Sequence, residues 1–168
     1  MLDIRTARLG DDDALARIDA VTWTRGGSPA PAPPAGTAFF GDRCRPADVL
    51  VAVGEGEGEG EGEGTVLGYV SLGRGFDIPA HAHVLVVTGL AVDPRHAGRG
   101  IGRELVGAAV ASATARGARK LTLRVLVHNA AARRVYQACG FEVEGILRAE
   151  FVLDGEPVDD VLMARHLG

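Results

Sequence analysis

The chain has 168 residues, 46% of them apolar, and a formal net charge of −4; that length accommodates one domain with a substantial core. No apolar run reaches the roughly 18 residues a membrane-spanning helix needs, and Lys and Arg are scattered rather than clustered, which argues against a nucleic-acid-binding surface. The negative charge is local, because five glutamates alternate with glycine between Gly54 and Gly64, and removing them turns −4 into +1.

The opening residues MLDIRTARLGDDD have no apolar signal-peptide core, so a cytoplasmic protein is expected. LDIRTARL has the alternation of a first strand, and Asp11-Asp12-Asp13 is expected to cap a helix running towards Trp23. Residues 25–37 (RGGSPAPAPPAGT) are too rich in Gly and Pro for regular structure and are expected to form a loop that closes over a substrate. Asp48–Val53 and Thr65–Leu72 read as strands, with the Gly/Glu tract 54–64 as a mobile hairpin loop between them.

Val84–Val92 (VLVVTGLAV) is apolar without alternation, the pattern of a central strand covered on both faces. A helix is expected from Gly98 to about Arg116, with Ile101, Leu105, Val106, Ala109 and Ala113 on one stripe. Leu121–Val127 is a further strand, and Asn129–Cys139 an Ala-rich helix ended by Gly140. The tail reads as two strands joined at Asp154-Gly155. This order predicts a single α/β domain, a mixed and mainly antiparallel central sheet with helices on both faces. Cys44 and Cys139 lack a CxxC or His-rich setting, so neither a disulfide framework nor a metal site is expected.

The turn Ala97-Gly98-Arg99-Gly100-Ile101-Gly102 joins the buried strand to its helix. Its three glycines are expected to let the backbone bend and a ligand approach. No Ser, Thr, Asp or Asn at 96–99 caps the helix, so its first N–H groups are available to an anion, with Arg99 and Arg103 nearby. A pyrophosphate suits such a turn. It is not a Walker A loop, since Arg103-Glu104 follows where Lys and Ser or Thr are required. Nor is it a dinucleotide fingerprint, because the third glycine comes one residue early. Taken alone, the turn is also compatible with a glycine-rich strand-to-helix connection that binds no ligand.

Asn129 and Tyr136 stand seven residues apart, on one helix face about 10 Å apart along the axis. On the residues alone, Asn129 reads as a helix N-cap and Tyr136 as a core side chain.

The two segments together resemble the signatures of the GNAT superfamily. The first, (Gln/Arg)-x-x-Gly-x-(Gly/Ala), matches Ala97 to Gly102 except that Ala97 replaces the polar residue. The second matches Asn129, Ala132, Val135, Tyr136, Gly140 and Phe141. The resemblance covers residues 1–167 and implies an acyl-CoA N-acyltransferase fold. It implies that Ala97, Gly98, Arg99, Gly100, Ile101 and Gly102 bind the pyrophosphate of acetyl-CoA, with Arg95 or Arg99 supplying the charge that Ala97 lacks. It further implies that Leu90, Ala91 and Val92 hold the pantetheine arm and acyl group where the fourth and fifth strands splay, and that Asn129 is a ligand of the pantetheine amides. Tyr136 would then be the acid that protonates the departing thiolate.

Relatives place a basic carboxylate on the fourth strand, but Val84–Val92 contains none. His81, His83, Asp77 or water are the alternatives. The tail, from Glu144 to Arg165, resembles small-amine and amino-acid acetyltransferases of the phosphinothricin type. The implied reaction is direct acetyl transfer from acetyl-CoA to a primary amine of a small molecule or amino acid, without nucleic acid or membrane partner. Acetylation of a protein N-terminus or lysine is the runner-up, and a non-catalytic acyl-CoA sensor the rival. The acceptor pocket is expected in the loops Trp23–Thr37 and Arg74–His83. Oligomeric state stays open, a homodimer being common among similar proteins.

Overall fold

The computed structural model describes residues 2–42, 44–54 and 64–168. Seven strands form one sheet: β1 (Asp3–Thr6), β2 (Val49–Gly54), β3 (Thr65–Gly73), β4 (Val84–Val92), β5 (Lys120–Leu126), β6 (Glu142–Leu153) and β7 (Glu156–His166), in the order β1-β2-β3-β4-β5-β7-β6. Every neighbouring pair is antiparallel except β4 and β5. The helices are α1 (Asp12–Thr22), α2 (Ile101–Ala115) and α3 (Ala130–Ala138). The mixed, mainly antiparallel α/β sheet is therefore as the sequence predicts. The loop expected over 54–64 falls, for residues 55–63, outside the described residues. None of the helices is long and apolar enough to cross a membrane, among the described residues.

Period-two alternation assigns each strand residue to one of two cores. Leu15 and Ile18 of α1, both fully buried, pack with Val49, Val51, Tyr69 and Ala91 on one face. On the other, Ile101, Leu105, Val106, Ala109 and Ala113 of α2 meet Ala52, Val70, Leu85, Val87 and Leu121, joined by Tyr136 and Phe141. The apolar, non-alternating reading of β4 is explained: Leu85 and Val87 serve the α2 core and Ala91 the α1 core. Burying one such Leu or Val fully contributes roughly 1.5–3 kcal/mol. The tail hairpin turns at Asp154 (φ 53°) and Gly155 (φ 85°), pairing Leu153 with Glu156, as a two-residue turn with positive φ requires.

The start of α1 differs from expectation. Asp11 stands at the N-cap position of α1 but its side chain does not bond to the helix: its carboxylate accepts the Arg8 backbone N–H at 2.7 Å and the two terminal Arg5 guanidinium nitrogens at 2.8 and 2.9 Å. The Arg5 bonds hold the Asp11 pKa below its ordinary value. A short turn over Leu9–Asp11 precedes the helix, so the carboxylate closes that turn instead. Asp12 accepts the Phe40 N–H at 2.8 Å, tying the long loop back to α1.

The structure separates β4 from β5. They pair only at Val84↔Lys120, Leu85↔Leu121 and Val86↔Thr122. Beyond that, β4 stays with β3 through Val92 while β5 follows β7 to Leu126. The register of β4 slips at Thr88, where Ser71 opposes Gly89 and Leu72 opposes Val87. A bulge of this kind bends its strand, and the bend opens a gap.

At the end of β4, Asp93 is 2% exposed and accepts Arg17 of α1 at 2.9 Å, and the Arg95 guanidinium and backbone N–H at 2.8 and 3.0 Å. The Arg95 hydrogen bond, helped by Arg17, holds its pKa well below the usual carboxylate range despite burial. A depressed folded-state pKa stabilises above the unfolded value near 3.9 and is lost as pH falls below it. Asp93→Asn should therefore cost about 1.5–3 kcal/mol at pH 7, the range for hydrogen bonds to charged groups. In denaturant unfolding, the difference from wild type should narrow as pH drops from about 4 to 2.

Candidate active site

The strand-to-helix turn is built on two left-handed residues. Gly98 (φ 77°) and Gly100 (φ 80°) stand where a side chain is conformationally strained. Gly102 lies within α2, and a Cβ there would make ordinary contacts with Val92 Cγ2 at 3.8 Å and Val135 Cγ1 at 3.9 Å. The bend therefore rests on two of the three glycines. Gly100 is the N-cap of α2 and offers no side-chain cap. The N–H groups of Gly98 to Gly102 donate to no group among the described residues, leaving a row of donors at the positive end of a helix dipole.

Arg95 cannot lend its charge to that row, because its guanidinium is committed to Asp93. Arg99 and Ala97 are both exposed, and Arg99 makes no ion pair among the described residues.

The gap between β4 and β5 is a cleft of about 790 Å³. Leu90 and Ala91 border it, while Val92 is not part of its wall; the Val92 side chain faces the start of α2. Asn129 opens α3, and its Oδ1 accepts the Ala132 N–H at 3.2 Å. Its Nδ2 makes no hydrogen bond among the described residues and lies near Gly27 of the overhanging loop. One side chain thus combines a cap with a free donor at the cleft wall.

Tyr136 also borders the cleft and is 7% exposed. Its ring leans on Phe141, with centroids 5.8 Å apart. Its hydroxyl makes no hydrogen bond among the described residues, and burial pushes its pKa up to about 12. The result is a protonated donor facing a cavity.

Charged and polar groups that the sequence did not single out complete the walls. The Tyr69 hydroxyl donates to Asp19 Oδ1 at 2.6 Å. Arg124 donates to Asp160 at 2.5 Å and Glu150 at 2.7 Å, with its guanidinium 5.6 Å from the Phe151 ring centre. Asp19 had a legible signal: it lies four residues after the fully buried Leu15, on the inward side of α1. The Arg124 cluster had none, since only the register of β5, β7 and β6 assembles it.

His81, His83 and Asp77 precede Val84, at the end of β4 that remains paired with β5, and none borders the cleft. His81 instead packs edge-on against Phe76, 4.9 Å between centroids. The loop from Thr24 to Pro33 does contribute to the cleft; the 74–83 loop does not. Trp23 anchors the first loop through Nε1 to the Ala30 carbonyl at 3.1 Å, and Arg25 pairs with Asp154 of the tail hairpin.

Comparison with known proteins matches this architecture. The acetyltransferase (GNAT) family matches residues 15–141. Solved structures with the same fold include a GNAT superfamily phosphinothricin acetyltransferase from Sinorhizobium meliloti in complex with acetyl-CoA (21% identity, TM-score 0.78, covering 99% of this chain and 89% of that one). The yncA protein of Salmonella typhimurium, solved with its cofactor acetyl-CoA, is 23% identical with a TM-score of 0.78, covering 100% and 95% of the two chains. A ribosomal-protein-alanine N-acetyltransferase from Brucella melitensis is 25% identical with a TM-score of 0.75, covering 98% and 99%. No curated protein matches the sequence. The family match spans both the glycine turn and the helix that carries Asn129 and Tyr136 to the cleft, and the chain is a member of the GNAT family of acetyltransferases.

Proposed function

We propose that this acetyltransferase moves an acetyl group from acetyl-CoA to a primary amine of a small molecule by direct attack. The observation that carries the reading is the unpartnered Tyr136 hydroxyl facing a cleft opened between β4 and β5. Bound acetyl-CoA supplies a thioester, an acyl group activated towards amines.

The chain's residues divide the rest of the work. The free N–H groups of Gly98, Arg99, Gly100, Ile101 and Gly102 bind the pyrophosphate as a backbone cradle, while Ala97, whose own N–H is donated to the Pro94 carbonyl at 3.2 Å, only leads the chain into it. Arg99 adds positive charge. The backbone of Leu90 and Ala91, unpaired on the β5 side and bordering the cleft, offers donors and acceptors to the pantetheine arm, with Asn129 Nδ2 at the same cleft and Val92 outside its wall. A backbone N–H of this strand stabilises the developing oxyanion. Tyr136 gives its proton to the departing sulfur.

Acceptor recognition follows from charge. Arg124, in the cleft wall, is tied to Asp160 and Glu150, and Arg17, beside it, to Asp93. Neither is offered to a substrate carboxylate, which favours an ammonium with no carboxylate beside it. A peptide N-terminus satisfies the same condition, so acetylation of a protein N-terminus is the second reading. The overhanging loop from Thr24 to Pro33 would shape the pocket for either.

Tyr136→Phe should lower kcat by about 100-fold or more while leaving acetyl-CoA affinity within about twofold by calorimetry, because the lost hydroxyl acts on the leaving group. Gly100→Ala, at a left-handed position, should strain the turn by about 1–2 kcal/mol, so the acetyl-CoA Kd should rise about 5–30-fold. The reaction itself is tested by thiol release against small amines, amino acids and an alanine-terminated peptide. Acetyl-CoA binding without release on any acceptor would identify a non-catalytic sensor, and no binding would remove both readings.

A further inference from the structure

A primary amine is largely protonated at pH 7, and its ammonium must lose a proton before nitrogen can attack. No side chain of β4 can take it, since Val84–Val92 contains no carboxylate or histidine. Asp160 and Glu150 are already bound by Arg124, and Asp12 by the Phe40 N–H. Asp19 differs from all of these.

Its Oδ1 accepts the Tyr69 hydroxyl at 2.6 Å, and its Oδ2 has no hydrogen-bond partner among the described residues. Asp19 is half-buried on α1. Among the described residues it is the carboxylate that borders both the β4–β5 cleft and a second hollow of about 640 Å³ between α1 and the 33–39 loop.

Tyr69 sets the position of that carboxylate. Its phenol end lies over the backbone of Gly89, where an added Cβ would be 3.3 Å from Cε2 and 3.7 Å from the hydroxyl. Gly89 directly precedes Leu90 and Ala91, so the carboxylate is one hydrogen bond from the segment that holds the acyl group in the reading above. Tyr136, buried and unpartnered, faces the same cleft. We propose that Asp19 Oδ2 binds the acceptor ammonium and takes its proton, an inference that rests on the amine-acetylation reading.

The step balances. The ammonium gives one proton to Asp19, and the nitrogen lone pair forms the C–N bond. The C–S bond breaks with its electron pair going to sulfur, which receives the Tyr136 proton. The tyrosinate regains a proton from the nitrogen as the amide forms, and Asp19 releases its own to solvent. One proton leaves per turnover.

The titratable and charged groups that share these two hollows with Asp19 are Tyr69 from β3, Cys44 from the loop before β2, Asp12, Asp13 and Arg17 on α1, Tyr136 on α3, and the Arg124–Asp160 pair of β5 and β7. Burial pushes Cys44, Tyr69 and Tyr136 upward, and the two phenols remain protonated over the range in which a profile from pH 6 to 9 is read.

The test is Asp19→Asn, which keeps an oxygen for Tyr69. Thiol release on an active amine should show kcat/KM about 100-fold lower at pH 7, with acetyl-CoA affinity unchanged by calorimetry. The deficit should shrink as pH approaches the amine's own pKa near 10. Asp19→Ser makes the same comparison if Asn is poorly tolerated, and Tyr69→Phe, which keeps the carboxylate, should lose less than about tenfold. An active wild type with Asp19→Asn within threefold of it, or a deficit equal at every pH, overturns the inference alone. A wild type that acetylates no amine overturns the underlying reading and this inference with it.

Discussion

Everything in the site depends on the separation of β4 from β5 after three paired residues. A parallel sheet left intact would satisfy its own backbone groups and have no room for a ligand. Here the Thr88 bulge turns β4 with β3, while β5 is held to β7 along its whole length. The two halves of the sheet diverge because each has a better-paired neighbour on its outer side. The unpaired backbone edge is then open to the cleft, and α3 brings Asn129 and Tyr136 to the same cleft.

The second constraint is electrostatic. Asp93, buried at the end of β4, joins Arg17 of α1 to Arg95 of the turn. This fixes the point where the chain leaves the sheet and begins the cradle, and it consumes Arg95 in doing so. The cradle is left with backbone donors and the exposed Arg99. In the proposed reading, Ala97 in place of Gln or Arg is tolerable, since the free N–H groups from Gly98 to Gly102 do not need a side chain. On the acceptor side the logic is similar: Arg124 and Arg17 are neutralised by carboxylates, and Asp19 retains a free oxygen. The resulting site is suited to a cation.

Much of this was legible in the residues. Local backbone demands were readable at Gly98 and Gly100, where left-handed φ values follow from the turn itself. The helical stripe of α2 and the non-alternating β4 also gave correct faces, because burial repeats with the period of each element. Capping at α1 was misread: three consecutive aspartates look alike to a propensity rule, but Arg5 claims the first and the Phe40 N–H the second. His81 and His83 stand close to β4 in sequence, yet position along β4 decides access, and they lie at its closed end.

The sequence by itself determined the order of elements, the uncapped glycine turn and the helix face shared by Asn129 and Tyr136. These are properties of short segments, set by backbone sterics and helical period. Only the tertiary structure decided that Asp19 meets Tyr69, 50 positions away in the chain, that Asp93 binds two arginines, and that Arg124 is already neutralised. Such contacts come from strand register and from how α1 lies on the sheet. Those are set by the packing of whole faces, which no local pattern records.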